Sequence, residues 1–391
     1  MDKQIKEQEP QKKKQNIVLR LLAFLVTVAL ILGALFLVVN WEEYNLDAIK
    51  RKMALRSVQT SASGEAEPFT HGGGDDISFA YLPDGLVMTS TTGVHYYTFS
   101  GEQYAEEVVP MEHPVLASAG AYAAAYDAGG QQLWLYHAGE EVFSLTLEGE
   151  GDLLSARLND SGWLAVTAQE SGYKGAVTVY NAAHERVFRL NRSSTFVVDA
   201  AVSPDCKRLA VVTMGQQDGR FESQLLVYSL NSEEPEQQIL LGSMAPLDLE
   251  YESDQIWVLG ENAVVSVATT GWQSSTYSFG RSYLKGCALG GDGFALVLLG
   301  RYRAGSADQA LVVTPDGKAD YTLSLHGQVL SFDAAGKYLC LLSGGELDIY
   351  TRELELYRSL EQTQGARCTA LADNASALLA DRQQAWMYIP D

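Results

Sequence analysis

Seven side chains in this sequence combine types that recognise partners: Tyr173 and Lys174, Arg220 and Phe221, and Arg301, Tyr302 and Arg303. They lie in three polar, glycine-containing stretches, ESGYKGA at 170–176, GQQDGRFES at 215–223 and GRYRAGSADQ at 300–309. Aromatic rings and guanidinium groups together make up binding hot spots, since rings bury large areas and Arg presents a rigid fork of donors. Long loops also collect polar residues because no packing constrains them. Which reading holds depends on whether the seven residues share one face.

Catalytic spacing is missing elsewhere. The chain has no HExxH, no phosphate-cradling GxxxxGK, no GxSxG and no calcium-loop ladder. Its six histidines, His71, His95, His113, His137, His184 and His326, stand singly and far apart. Trp134, Trp163, Trp257, Trp272 and Trp386 fall at differing places in their repeats, so no ring of stacked indoles for a quinone cofactor is expected. Gly72–Gly74 followed by Asp75 and Asp76 reads as a flexible lead rather than a cation site. No catalytic residue, metal ligand or cofactor is assigned. Cys206, Cys287, Cys340 and Cys368 lack metal spacing, and the last three sit in apolar runs where a free thiol packs as a small hydrophobe. A disulfide stays open if the domain lies outside the cytoplasm.

The elements that must position these residues repeat one plan about eight times from Ile77 onward. An opening run (ISFAYL, PVLASA, LLSARL, VVDAAV, PLDLEY, LKGCAL, VLSFDA, RCTALA) leads into a turn rich in Asp, Gly, Pro and Asn. A second, more apolar run follows, as in LAVTA, LAVVT, FALVLL and YLCLL. Third runs such as LWLYH, VTVYN, LLVYS and LDIYT alternate, and fourth runs such as EVFSLTL and DYTLSL precede the next unit. Four short antiparallel strands, repeated this often, predict an all-β fold, a β-propeller of about eight four-stranded blades, or seven if one unit is a decorated loop. The last unit ends at WMYIPD with three runs, and EPFTH at 67–71 is expected to supply its fourth strand and close the ring. In this arrangement the strand two–three loops share a face, which is where the three stretches above fall.

Charge is uneven. The net value is −21, yet residues 1–56 carry ten Lys and Arg against six Asp and Glu, leaving 18 against 43 beyond. A domain that acidic repels phosphate backbones, so nucleic acid is not an expected partner. Leu21–Val39 is nineteen residues without a charge, about the length that crosses a bilayer as a helix. Six basic residues precede it, and Trp41, Glu42, Glu43 and Tyr44 follow, which predicts a cytoplasmic N-terminus. The expected layout is a basic tail at 1–16, a transmembrane helix at 17–40, a stem and linker at 41–64 and an extracytoplasmic propeller at 65–391. The lipid bilayer is the expected partner of 17–40. Within the stem, 45–58 is expected as a helix with Leu46, Ile49 and Met53 on one face.

The run VSPDCKRLAVVT at 202–213 resembles the strand–turn–strand core of TolB-like and WD-type propeller repeats, with Cys206 where a Gly is usual. YLPDGLVMTS at 81–90 and ALGGDGFALVLL at 288–299 are looser versions, and the WD dipeptide is absent. The layout as a whole resembles an uncharacterised bacterial domain-of-unknown-function family of single-pass, membrane-anchored propellers, a resemblance that implies the fold and no activity. Two functions are expected to compete. One is a binding or scaffolding module that engages a protein or an envelope polymer through the loop face. The other is a propeller hydrolase or lyase acting on an extracellular or cell-wall polymer, whose acidic or basic groups would converge at the axis from different blades.

Overall fold

Runs that read as continuous apolar stretches become strands covered on both sides. Gly85–Ser90, Leu164–Ala168, Phe294–Gly300 and Tyr338–Leu342 are buried at every position. Each is the second strand of a four-stranded blade and is sandwiched between neighbouring blades. Outermost strands such as Ser274–Ser278 alternate exposed and half-buried residues, because only one of their faces meets another blade.

The structure, a computed structural model, describes residues 46–390 except 74, 75, 150, 218 and 364, and upstream of these only 22, 24–28, 30 and 31. It is an all-β propeller of eight four-stranded antiparallel blades. The innermost strands, in chain order, are Ser78–Leu82, Pro114–Ala119, Leu153–Leu158, Phe196–Val202, Pro246–Tyr251, Tyr283–Gly291, Ser331–Ala335 and Cys368–Leu371. Each packs beside the next, and the last packs beside the first. Eight hydrophobic clusters fill the eight gaps between blades, which excludes the seven-bladed count.

The ring closes as the sequence suggests. Phe69–Thr70 is the fourth strand of the last blade, with Phe69 opposite Ala385 and Thr70 opposite Gln384. The pairing continues outward: the Ala66 amide donates to Met387 O at 2.8 Å, and Ile389 donates to Gly64 O at 2.8 Å. These bonds satisfy main-chain groups that an open blade edge would leave bare.

Arg51–Pro390 form one compact unit. A helix spans Leu46–Ala54. Ile49 and Met53, expected on one face, are exposed, whereas Arg51 and Leu55 are buried. Leu55 joins the cluster between the last and first blades, and Arg51 Nη1 donates to Asn374 O at 2.7 Å. A long-range carbonyl and a hydrophobic gap, neither visible in the local sequence, choose the buried face. The expected span at 17–40 lies mostly outside the described residues; the eight described there are helical. Among the described residues no helix is long and apolar enough to cross a membrane.

Candidate functional site

All seven residues read from the sequence fall on strand two–three connections, in blades three, four and six. In blade three the loop between Leu164–Ala168 and Ala176–Tyr180 holds Tyr173, which is 47% exposed, and Lys174. Lys174 Nζ donates to Ser194 O at 3.1 Å and sits 5.0 Å from the centre of the Phe196 ring. Tyr173 and Lys174 line a groove of about 690 Å³ with Leu154, Phe196, Val198 and Met214. Phe196 is itself half exposed.

Blade four departs from expectation. The stretch 215–223 is not a loop but the end of a long hairpin, Arg208–Gln217 paired with Arg220–Ser229. Gly215 pairs with Glu222, Gln216 with Phe221 and Gln217 with Arg220. The innermost strand of the blade stops opposite Met214 and the outermost opposite Ser223, so the last three pairs form a free two-stranded arm. Gly219 takes the left-handed conformation (φ +78°) that so tight a turn demands. Phe221 and Arg220 are exposed on this arm.

In blade six the loop 301–308 carries the remaining three residues. Arg301 Nε lies 3.3 Å from Asp308 Oδ2, Tyr302 is 75% exposed, and the Arg303 carbonyl accepts a 2.9 Å hydrogen bond from Lys285 Nζ. Arg301 and Tyr302 border a hollow shared with Leu325 and His326. The seven residues therefore share a face without sharing a pocket. Tyr173 and Lys174 belong to one groove, Arg301 and Tyr302 to another hollow, and Arg220 and Phe221 to the arm.

A second constellation escaped the sequence reading. Where the innermost strands of blades three, four and five meet the axis, Arg157 Nε donates to Asp199 Oδ2 at 2.8 Å. The same guanidinium reaches Asp248 Oδ1 through Nη2, and Glu250 Oε2 at 3.9 Å through Nη1. Ser155 Oγ donates to Asp199 Oδ1 at 2.5 Å. Each of these strands has a register shift near its start, between Leu153 and Ser155, Val197 and Asp199, and Pro246 and Asp248. A bulge re-aims the side chain that follows it, and here it places Ser155, Asp199 and Asp248 at matching positions of successive blades. The Asp199 and Asp248 carboxylates also accept the next residue's amide at 2.8 and 2.9 Å.

Above this cluster, on the face of the strand one–two turns and so opposite the loops described first, a cavity of about 530 Å³ opens. It is bordered by Arg157, Asp160, Glu250, Glu252, Asp254 and Asp292. Burial raises the Glu250 carboxyl to about 7 against the pull of Arg157, with Asp248 and Asp199 pushing the same way as burial. Its side chain remains 43% exposed at the mouth of the cavity. Burial also raises Glu252 to about 7, although it accepts from the buried indole of Trp257 at 3.1 Å and from the Gly293 amide at 3.3 Å. Carboxyls that change protonation near neutrality beside an open cavity can donate or accept protons. The excess of carboxylates makes the mouth attractive to cations. Among the described residues no three His, Cys, Asp or Glu side chains converge to hold a metal ion.

The four thiols are unpaired. Burial pushes Cys340 and Cys287 far up, and Cys368 to about 11, so none of these three is a ready nucleophile. Cys206 has φ +57°, the left-handed conformation that explains why glycine is usual at this turn.

The propeller is similar to the crystal structure of BamB from Moraxella catarrhalis (14% identity, 82% of this chain and 96% of that one, TM-score 0.50). It is also similar to apo AztD from Citrobacter koseri (12%, 74% and 86%, TM-score 0.54) and to the C-terminal WD40 domain of Sif2 (11%, 85% and 98%, TM-score 0.58). At such identities the likeness is one of fold. No curated protein matches the chain. Residues 67–356, most of the propeller, match the model of the family of unknown function DUF5711, and the chain belongs to that family.

Proposed function

We propose that the chain is a membrane-anchored, extracytoplasmic binding module that engages a protein or an envelope polymer through the strand two–three face. The observation that carries this reading is the groove on blades three and four, where the half-exposed rings of Tyr173 and Phe196 flank Lys174 beside the free arm of Arg220 and Phe221. Aromatic surface next to a held cation fits the make-up of a recognition patch. The uncharged run Leu21–Val39 and the basic residues before it support an anchor with the propeller outside.

Affinity capture of the full-length chain from its own membranes tests the reading. Two variants, Tyr173→Ala with Phe221→Ala, and Arg301, Tyr302 and Arg303 together to Ala, are compared with the wild-type chain. Loss of the retained protein or polymer in either variant is expected. Identical retention in all three rejects this face.

The axial mouth favours a second reading, acid–base cleavage of a polymer. Its support is the pairing of Glu250 and Glu252, both raised to about 7, with a cavity open to water. Glu250→Gln and Glu252→Gln would each abolish release of soluble fragments from cell-wall material. Equal release by both variants and wild type dismisses it.

A further inference from the structure

The closing strand carries an oddity that neither reading uses. His71, directly after Phe69–Thr70, and His95, in the third strand of the first blade, are both almost fully buried. His71 Nε2 lies 3.1 Å from the Asp381 carbonyl. A carbonyl only accepts, so this nitrogen carries the proton and Nδ1 is bare. Nδ1 has no partner, and neither ring nitrogen of His95 has a hydrogen bond.

The main chain seals both rings. A Cβ added at Gly72 would lie 2.6 Å from His95 Cε1, and one at Gly73 would lie 2.7 Å from His71 Nδ1. The Gly72 amide is fixed by a 2.9 Å bond to the Tyr97 hydroxyl. Phe79 packs edge-on against His71 at 5.8 Å, and Tyr97 stacks on His95 at 6.4 Å.

The facing groups do little to welcome a second proton. Asp381 presents its carbonyl to His71, while its carboxylate accepts the amides of Gln383 and Gln384 at 2.7 Å. Glu106 Oε1 approaches His95 Nδ1 only to 3.8 Å, and half of that side chain is in water. Burial lowers His95; Glu106 opposes the shift and His71 reinforces it.

We infer that His95 is an acid-sensitive latch on ring closure, holding the strand Phe69–Thr70 in place through the Gly72 main chain packed on it while its ring is neutral, and releasing that strand when the ring takes a second proton. A second proton adds an N–H inside a site with no room to solvate it. The cheapest relief is departure of a strand only two residues long, which returns the ring to water and bares the edge of Gln384–Tyr388. The sign follows from linkage. A histidine held below its ordinary value of about 6.5 makes the closed state bind fewer protons than the open one, so closure weakens as pH falls below about 6.5. For one proton taken up on opening, the opening equilibrium grows at most about tenfold per pH unit.

Hydrogen exchange of the full-length chain in detergent, corrected for intrinsic rates, tests the latch at pH 7.5 and pH 5.5. Segments 65–73 and 381–388 are expected to open about five- to tenfold more at the lower pH, while 208–213 and 224–229 of blade four stay protected. In His95→Gln, which keeps the shape but cannot titrate, the change is expected to fall below threefold. His95→Asn stands in if that variant does not fold. A wild-type change below threefold overturns the inference. So does loss of protection spread equally to blade four, or a folded variant that keeps the full pH dependence.

Discussion

Replacing Arg157 by Met probes whether the axial cluster is held together by its single cation. The substitution keeps the length of the stem and removes the charge that Asp199, Asp248 and Glu250 share. Breaking a buried ion pair by removing one partner typically costs about 3–5 kcal/mol. Here only Asp199, 7% exposed, is fully enclosed, and it retains bonds from Ser155 Oγ and the Ala200 amide. Asp248 and Glu250, 34% and 43% exposed, are partly hydrated by the mouth, so the lower end, about 3 kcal/mol at pH 7.5, is expected. The loss must also depend on pH. Without the guanidinium nothing offsets the mutual repulsion of the three carboxylates, so protonation favours the folded variant more than the folded wild type and acid narrows the deficit. Urea midpoints for wild type and variant, at pH 7.5 and pH 4.5, measure both effects. A deficit of about 3 kcal/mol shrinking below about 1 kcal/mol in acid is the expected result. A deficit of the same size at both pH values would mean that lost packing, not uncompensated charge, governs the site, and the reasoning would fail.

Three further outcomes follow from other parts of the ring. Ala66→Pro removes the amide that bonds Met387 O, so thermal unfolding should register a loss of about 2–3 kcal/mol, whereas Tyr302→Ala on the open loop should change stability by less than about 0.5 kcal/mol. Cys206→Gly should gain up to about 1 kcal/mol by relieving a left-handed conformation, and Cys206→Val should lose at least about that much, read as shifts in urea midpoint. Asp333, raised to about 6 by burial although it accepts the Leu371 and Ala334 amides, favours the folded state less as pH rises from about 4 to 6. Asp333→Asn should flatten that slope, which a stability–pH profile measures.

The propeller was legible because its strands differ in how they are covered. Leu153–Leu158 and Pro246–Tyr251 match the opening runs LLSARL and PLDLEY residue for residue, since each begins after a turn and ends in one. Ring closure was legible too, because a blade one strand short has only one place from which to borrow. The arm of blade four was not. Gly215, Gln216, Gln217 and Arg220 have loop composition, and they become strand only because two long strands continue their ladder past the rest of the blade. The axial cluster lay hidden inside runs that look apolar. Arg157 stands 42 residues from Asp199 and 91 from Asp248, so no local motif joins them. Superposing the runs would have revealed it, since Ser155, Asp199 and Asp248 occupy one position of the repeat. Arg51 reads as part of a basic helix face, yet its carbonyl partner is 323 residues away.

The strap from Arg51 to His71 also decides how the domain bears load. The segment from Glu65 to Thr70 lies antiparallel along Gln384–Tyr388, so tension drawn from upstream acts along the hydrogen-bonded seam and strains its bonds together in shear, instead of unzipping them singly. Before that seam feels any force, Arg51 must leave Asn374 and Leu55 must be pulled from between the blades. Traction on the N-terminal side is thereby met first at the last blade.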